Sequence, residues 1–176
     1  QDIRDLYAPY VMGYMTDSEE GDLAAAQEWT AVNDDIKKIV IFYTPTDASQ
    51  AAATELLTAQ LPDSGIEVVG TVEVQTGQLD CSASAIQALN LKADGYYLNL
   101  RADEAAKVLT ELRKRGVDEG RRICATFASY DANYFDVAGS DCDGTYIWNK
   151  LNPDYSGEEW QTLVAAYQQA NDGQTP

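Results

Sequence analysis

Five short runs rich in β-branched and aromatic residues alternate along this chain with segments of helical character, and that alternation restricts it to layered α/β folds. The clearest run is Lys38-Ile39-Val40-Ile41-Phe42-Tyr43, which has no polar/apolar alternation and reads as a parallel strand covered on both faces. Residues 44–47 (Thr-Pro-Thr-Asp) break it, and Asp47 with Gln50 has capping-box spacing before an alanine-rich helix that runs to about Leu61. A turn at residues 62–65 leads to a second strand over 66–74, and Asp80 is placed to cap a helix carrying Ile86 and Leu89 and ending near Asn90. Residues 95–100 form a third strand. The next helix has Ala105, Val108, Leu109 and Leu112 on one face and stops at Gly116, after a basic last turn of Arg113, Lys114 and Arg115. A fourth strand is predicted over 123–128, a short helix over 132–137 and a fifth strand over 145–148.

Two further segments flank this series. Residues 10–15 are apolar and lead into a helix start in which Asp17 and Glu20 have capping-box spacing, with the helix reaching Val32. Ser156 and Glu159 have the same spacing ahead of a helix with Trp160, Leu163, Val164 and Tyr167 on its apolar stripe, and residues 171–176 are polar and linker-like. The predicted architecture is a single α/β unit over residues 1–176: a mainly parallel sheet of about five strands, in flavodoxin-like order, with helices on both faces.

Composition narrows the function. The chain has 176 residues, enough for one domain that buries about 70% of its unfolded surface. No apolar run approaches the ~20 residues that span a bilayer, and any export leader lies outside this sequence. The net charge of −17 repels phosphate backbones and anionic lipid, which argues against nucleic-acid and membrane-surface binding. Histidine is absent, which removes the commonest general base and metal ligand. The three cysteines, Cys81, Cys124 and Cys142, have no CxxC spacing, so neither a metal site nor a cofactor is expected. The chain lacks the GxSxG, P-loop and GxGxxG patterns, and Asp34-Asp35 precede their strand rather than follow it, unlike the acidic pocket of a receiver domain. No catalytic residues are assigned, and the chain is not expected to be an enzyme.

In an open α/β sheet, ligands sit beyond the carboxyl ends of the strands, which nominates residues 44–49, 99–103 and 127–131. Arg101 is the one cation immediately at a strand end. It could clamp a carboxylate, or it could pair with Asp103 or another neighbouring acid. Asp47 and Ser49 could meet ligand polar groups, although capping alone accounts for Asp47. Phe127 and Tyr130 could line a cleft, or could be a strand's last core residue and a helix's first.

Three stretches, in order and spacing, resemble the branched-chain amino-acid (Leu/Ile/Val) binding proteins of ABC importers, which have the type I periplasmic-binding fold. They are Tyr14-Met15-Thr16-Asp17-Ser18-Glu19-Glu20-Gly21 followed by Lys37 to Tyr43; Gly77-Gln78-Leu79-Asp80-Cys81-Ser82 leading to Ala93-Asp94-Gly95-Tyr96-Tyr97; and Val137-Ala138-Gly139 with Asp143-Gly144-Thr145-Tyr146 and the helix from Trp160 to Tyr167. The resemblance covers nearly the whole chain. Where the family places Phe in its Gly-x-x-Asp-Phe-Ser helix start, this chain has Cys81.

The resemblance implies a C-terminal lobe of a two-lobed, periplasmic or extracellular solute-binding protein, with hinge-proximal segments near 1–15 and 171–176. The rest of the ligand site would lie on an N-terminal lobe outside this sequence, and the expected partners are a small solute and a membrane permease. Carried over residue by residue, the ligand positions are Asp47, Ala48 and Ser49 (where a tyrosine is frequent), Arg101 (where an aromatic is frequent) and Phe127 (where an acid often grips an ammonium group). This pattern favours a carboxylate-bearing, anionic or aromatic compound over an α-amino acid, within the range of amino-acid-like solutes. The same lobe could instead serve a sensor ectodomain or an amide-responsive regulator, and its exposed cleft could pair two isolated lobes. On this layout Cys124 opens the fourth strand and Cys142 lies just before the fifth. If those strands are neighbours, a Cys124–Cys142 disulfide is within reach and Cys81 stays free.

Overall fold

The computed structural model describes residues 18–149 and 157–174. In chain order its elements are α1 (Ser18–Val32), β1 (Lys38–Tyr43), α2 (Ala48–Gln60), β2 (Glu67–Glu73), α3 (Ser82–Asn90), β3 (Gly95–Asn99), α4 (Ala102–Lys114), β4 (Ile123–Ala125), α5 (Ala132–Ala138), β5 (Tyr146–Ile147) and α6 (Glu158–Ala170). The five strands form one sheet in the order β2-β1-β3-β4-β5, and every adjacent pair is parallel. The predicted αβα lobe is therefore the observed one. The apolar segment at 10–15 and the caps assigned to Asp17 and Ser156 lie outside the described residues.

Strand alternation sorts the core into two layers. Ile39, Ile41, Tyr97 and Cys124 point to one face, where Ala26 and Trp29 of α1 and Leu57 of α2 cover them. Val40, Phe42, Tyr96, Leu98 and Ala125 point to the other, against Ala85 and Ala88 of α3, Leu109 and Leu112 of α4, and Tyr134 of α5. β3 is buried along its whole length. Its first residue must be glycine, because a β-carbon at Gly95 would lie 2.7 Å from the indole of Trp29. The sheet's base is held by charge. Asp35 accepts from Arg121 and Arg122, and Oδ2 of Asp94 accepts the backbone N–H groups of Lys37 and Lys38.

Three expectations need correction. The fourth strand ends at Ala125 rather than at 128, because the chain turns at Thr126 into a 3₁₀ turn over Phe127–Ser129, and the fifth strand shortens to two residues. The helix ending at Asn90 has Cys81 rather than Asp80 at its N-cap and begins at Ser82, although Oδ1 of Asp80 accepts the Ser82 N–H at 2.8 Å. The Cys124–Cys142 disulfide is not formed, and all three cysteines are free thiols. β4 and β5 are neighbours, but the two sulfurs belong to opposite faces of the sheet. Cys124 is buried in the layer under α1, whereas Cys142 packs against the layer under α3 and α4. Arg113 fixes that arrangement by donating to the carbonyls of Asp141 and Asp143, which straddle Cys142.

Candidate ligand-binding cleft

The strand order changes direction between β1 and β3. From β1 the chain moves outward to β2, and from β3 it moves the other way to β4 and β5. The connections leaving β1 and β3 therefore part at their carboxyl ends and open a crevice there. A cavity of about 580 Å³ occupies this place, and Asp47, Ser49, Asn99, Arg101, Thr126 and Phe127 are among its walls. Four of the five carried-over ligand positions thus come together. The fifth, Ala48, is the exposed first residue of α2 and is not part of the wall.

Asp47 caps α2, accepting the N–H groups of Ser49 and Gln50 on Oδ1 at 3.2 and 3.3 Å. Its Oδ2 accepts Nε and Nη2 of Arg101 at 3.3 and 2.9 Å. Partial burial pushes the Asp47 carboxyl up, but the Arg101 guanidinium and the backbone donors outweigh it and hold the group below the usual carboxylate value. Arg101 does not pair with Asp103, whose carboxylate is taken by Lys107 at 2.6 Å. The Arg101 side chain remains 70% exposed. Gln50 completes the cap in an unexpected way: its Oε1 accepts the Thr44 N–H at 2.8 Å, which ties the end of β1 to the first turn of α2. Asn99, at the tip of β3, donates to the Gln50 carbonyl and to the Thr54 hydroxyl, locking β3 to the same helix.

Phe127 sits half-buried on the cavity wall and tilts against Trp148, with ring centroids 5.1 Å apart. Tyr130 is 52% exposed, packs edge-on to Phe135 and is not part of the wall.

The sequence reading missed Asp22 and Glu104. Asp22 is only 2% exposed and lines the cavity. Its Oδ1 accepts the Tyr97 hydroxyl at 2.7 Å and the Trp148 indole N–H at 2.6 Å, and burial pushes its carboxyl above the usual value despite those donors. A signal for it existed: Asp22, Ala26 and Trp29 follow i, i+4, i+7 spacing, which puts an acid on the buried stripe of α1. Glu104 is 6% exposed and accepts the Gly77 N–H at 2.7 Å, holding the loop after β2 against α4. With Asp103 and Asp131, these acids give the cavity five carboxylates and one guanidinium. Having Phe127 where an acid is frequent therefore does not leave the cleft without anionic groups. Among the described residues no cluster of three or more metal-ligating side chains occurs.

A doubly wound lobe with an open polar cavity above its switch point defines a ligand-binding α/β unit. Comparison with known proteins is specific: a match to the periplasmic binding protein family runs over residues 2–176, and the chain belongs to that family. Its members bind solutes rather than transform them and are periplasmic or extracellular; among the described residues no helix is long and apolar enough to cross a membrane. A search of curated proteins by sequence found no match.

Solved structures share the fold. A leucine-binding protein from Thermotoga maritima superposes with a TM-score of 0.76 at 19% identity, over 92% of this chain and 45% of that one. A branched-chain amino acid ABC transporter protein from Rhodospirillum rubrum gives 0.73 at 22% identity, over 92% and 45%. An amino acid ABC transporter substrate-binding protein from Pseudomonas fluorescens Pf-5 gives 0.71 at 16%, over 92% and 43%. The chain spans less than half the length of each of these proteins.

Proposed function

We propose that this chain is one lobe of a receptor that captures a small amino-acid-like solute outside the cytoplasm and delivers it to the permease of an ABC importer. The observation that carries this reading is the Arg101–Asp47 pair, which bridges the loops leaving β1 and β3 at the mouth of the cavity. Only Nε and Nη2 of the Arg101 guanidinium are used by Asp47, which leaves the rest of its planar fork for a ligand carboxylate. The surrounding carboxylates suit a cationic group on the same ligand, and Phe127 supplies an apolar surface for its side chain. A zwitterion satisfies both charges at once, whereas a simple anion would face five acids. This refines the carboxylate-bearing solute expected from sequence toward one that also carries an amine.

An open crest of this size encloses a ligand only when a second surface closes over it, and the solved relatives are more than twice as long as this chain. A companion lobe that closes by hinge bending fits both facts and requires no chemistry at the site. The test is calorimetric titration of the full-length protein with the twenty L-amino acids and with their amine-free carboxylic analogues. Saturable binding of an amino acid that weakens about tenfold or more in Arg101→Ala supports the reading. Tighter binding of the amine-free acids, or no dependence on Arg101, overturns it.

A further inference from the structure

We infer that Asp22 is the cation-accepting end of this cleft and makes the contact with the ligand's amine; the inference rests on the solute class proposed above. Asp22 differs from the other four acids of the cavity in what neutralises it. Asp47 is paired with Arg101, and Asp103 with Lys107. Glu104 is bonded to a backbone N–H and has Lys107 close by, while Asp131 is exposed and caps α5. Asp22 alone is both buried and without a cationic partner among the described residues. Its donors are both neutral, the Tyr97 hydroxyl and the Trp148 indole, and the Thr126 hydroxyl beside it is neutral too.

Neutral donors fix the position of a carboxylate but do not supply the countercharge that burial calls for. Among the described residues the charged group that acts on it, Glu19 on the same helix, has the same sign and makes the deficit worse. The other titratable groups against Asp22 are the Tyr97 phenol and the Cys124 thiol, both neutral at neutral pH because burial pushes them well up. The hydrogen bonds from Tyr97 and Trp148 both fall on Oδ1, and the residue forms part of the cavity wall. An ammonium group bound there would supply the missing charge at a rigid, pre-positioned acceptor. Arg101 stands across the β1–β3 crevice as the complementary end, so the cleft has one fixed anion and one fixed cation for the two poles of a zwitterion.

The experiment uses the full-length protein and whichever L-amino acid binds it most tightly, paired with that amino acid's amine-free analogue. Asp22→Asn keeps the shape and an acceptor oxygen but removes the charge. We expect it to weaken the amino acid about tenfold or more, while the amine-free acid changes less than about twofold. Equal effects on both ligands, or none on the amino acid, overturn the assignment and leave the solute class standing. If no amino acid binds the unmutated protein, the solute class fails and Asp22 with it. Circular dichroism checks that the variant folds. Should it not fold, the unmutated protein gives the answer through the carbon-13 titration of the Asp22 carboxyl. Saturating amino acid should lower its midpoint, and an unchanged or raised midpoint overturns the assignment.

Discussion

The indole N–H of Trp148 donates to Oδ1 of Asp22 at 2.6 Å, joining residues 126 positions apart in the chain. The contact draws the segment after β5 onto the first turns of α1 and sets the Trp148 ring over Gly21, where a β-carbon would fall 2.5 Å from it. Gly21→Ala should therefore displace the ring and cost about 1–3 kcal/mol in urea unfolding. Trp148→Phe retains a ring against Phe127 but leaves Asp22 one donor short, and should cost about 1–2 kcal/mol. Equal stability of both variants and the parent would show that this contact does not hold the two segments.

The ion pair at the cleft should separate stability from binding. Arg101 is exposed, so Arg101→Ala should change unfolding free energy by less than about 1 kcal/mol while weakening the solute strongly. Asp47 is also the cap of α2, so Asp47→Ala should lower stability by about 1 kcal/mol in addition to its effect on binding. Paired denaturation and titration of the two variants test the division.

Asp47 and Asp22 should respond to acid in opposite directions. The native Asp47 carboxyl lies below its ordinary value of 3.8, so its contribution is present above 3.8 and is lost as pH falls through the lowered native value. Asp22 lies above 3.8 in the native state, so between that raised value and 3.8 the folded protein binds more protons than the unfolded chain. Its contribution therefore becomes more favourable as pH falls through that window. Relative to the parent, Asp22→Asn should be at its most stable near neutrality and should lose ground on acidification through the window, while Asp47→Asn should close its deficit as pH drops below 3.8. Urea midpoints from pH 7 to 3 measure both trends.

All three thiols should titrate under denaturing, non-reducing conditions. In the folded protein half-exposed Cys142 should react first with a maleimide. Cys124 and Cys81 should lag, since both are buried, and burial raises the Cys81 thiol to about 11 and Cys124 further. A count of one would restore the disulfide that the opposed faces of Cys124 and Cys142 argue against.

The sheet was legible in the sequence because its central strands are uninterrupted apolar runs, and the loops at their tips follow from topology once the strands are parallel. Asp47, Ser49, Arg101 and Phe127 could be named for that reason. The edge was harder: β4 and β5 are held by few ladder positions, and the Thr126 turn ends β4 where hydrophobicity continues. Asp22 escaped because an acid in the second turn of a helix usually faces water, and only the placement of Tyr97 and Trp148 around it makes burial tolerable. The missing disulfide turned on which face of the sheet each sulfur takes, which strand adjacency does not decide.

The hydrogen bonds that join β1, α2 and β3 run through Gln50, Asn99 and Thr54, all buried, whereas the Ser49 side chain and the Arg101 guanidinium, which meets the capping Asp47, lie at the exposed rim. Solute preference in such a lobe can drift by exchanging a few exposed side chains at the rim while the frame beneath stays unaltered. On the proposed function, a shift toward a different solute would then require little compensation elsewhere in the chain.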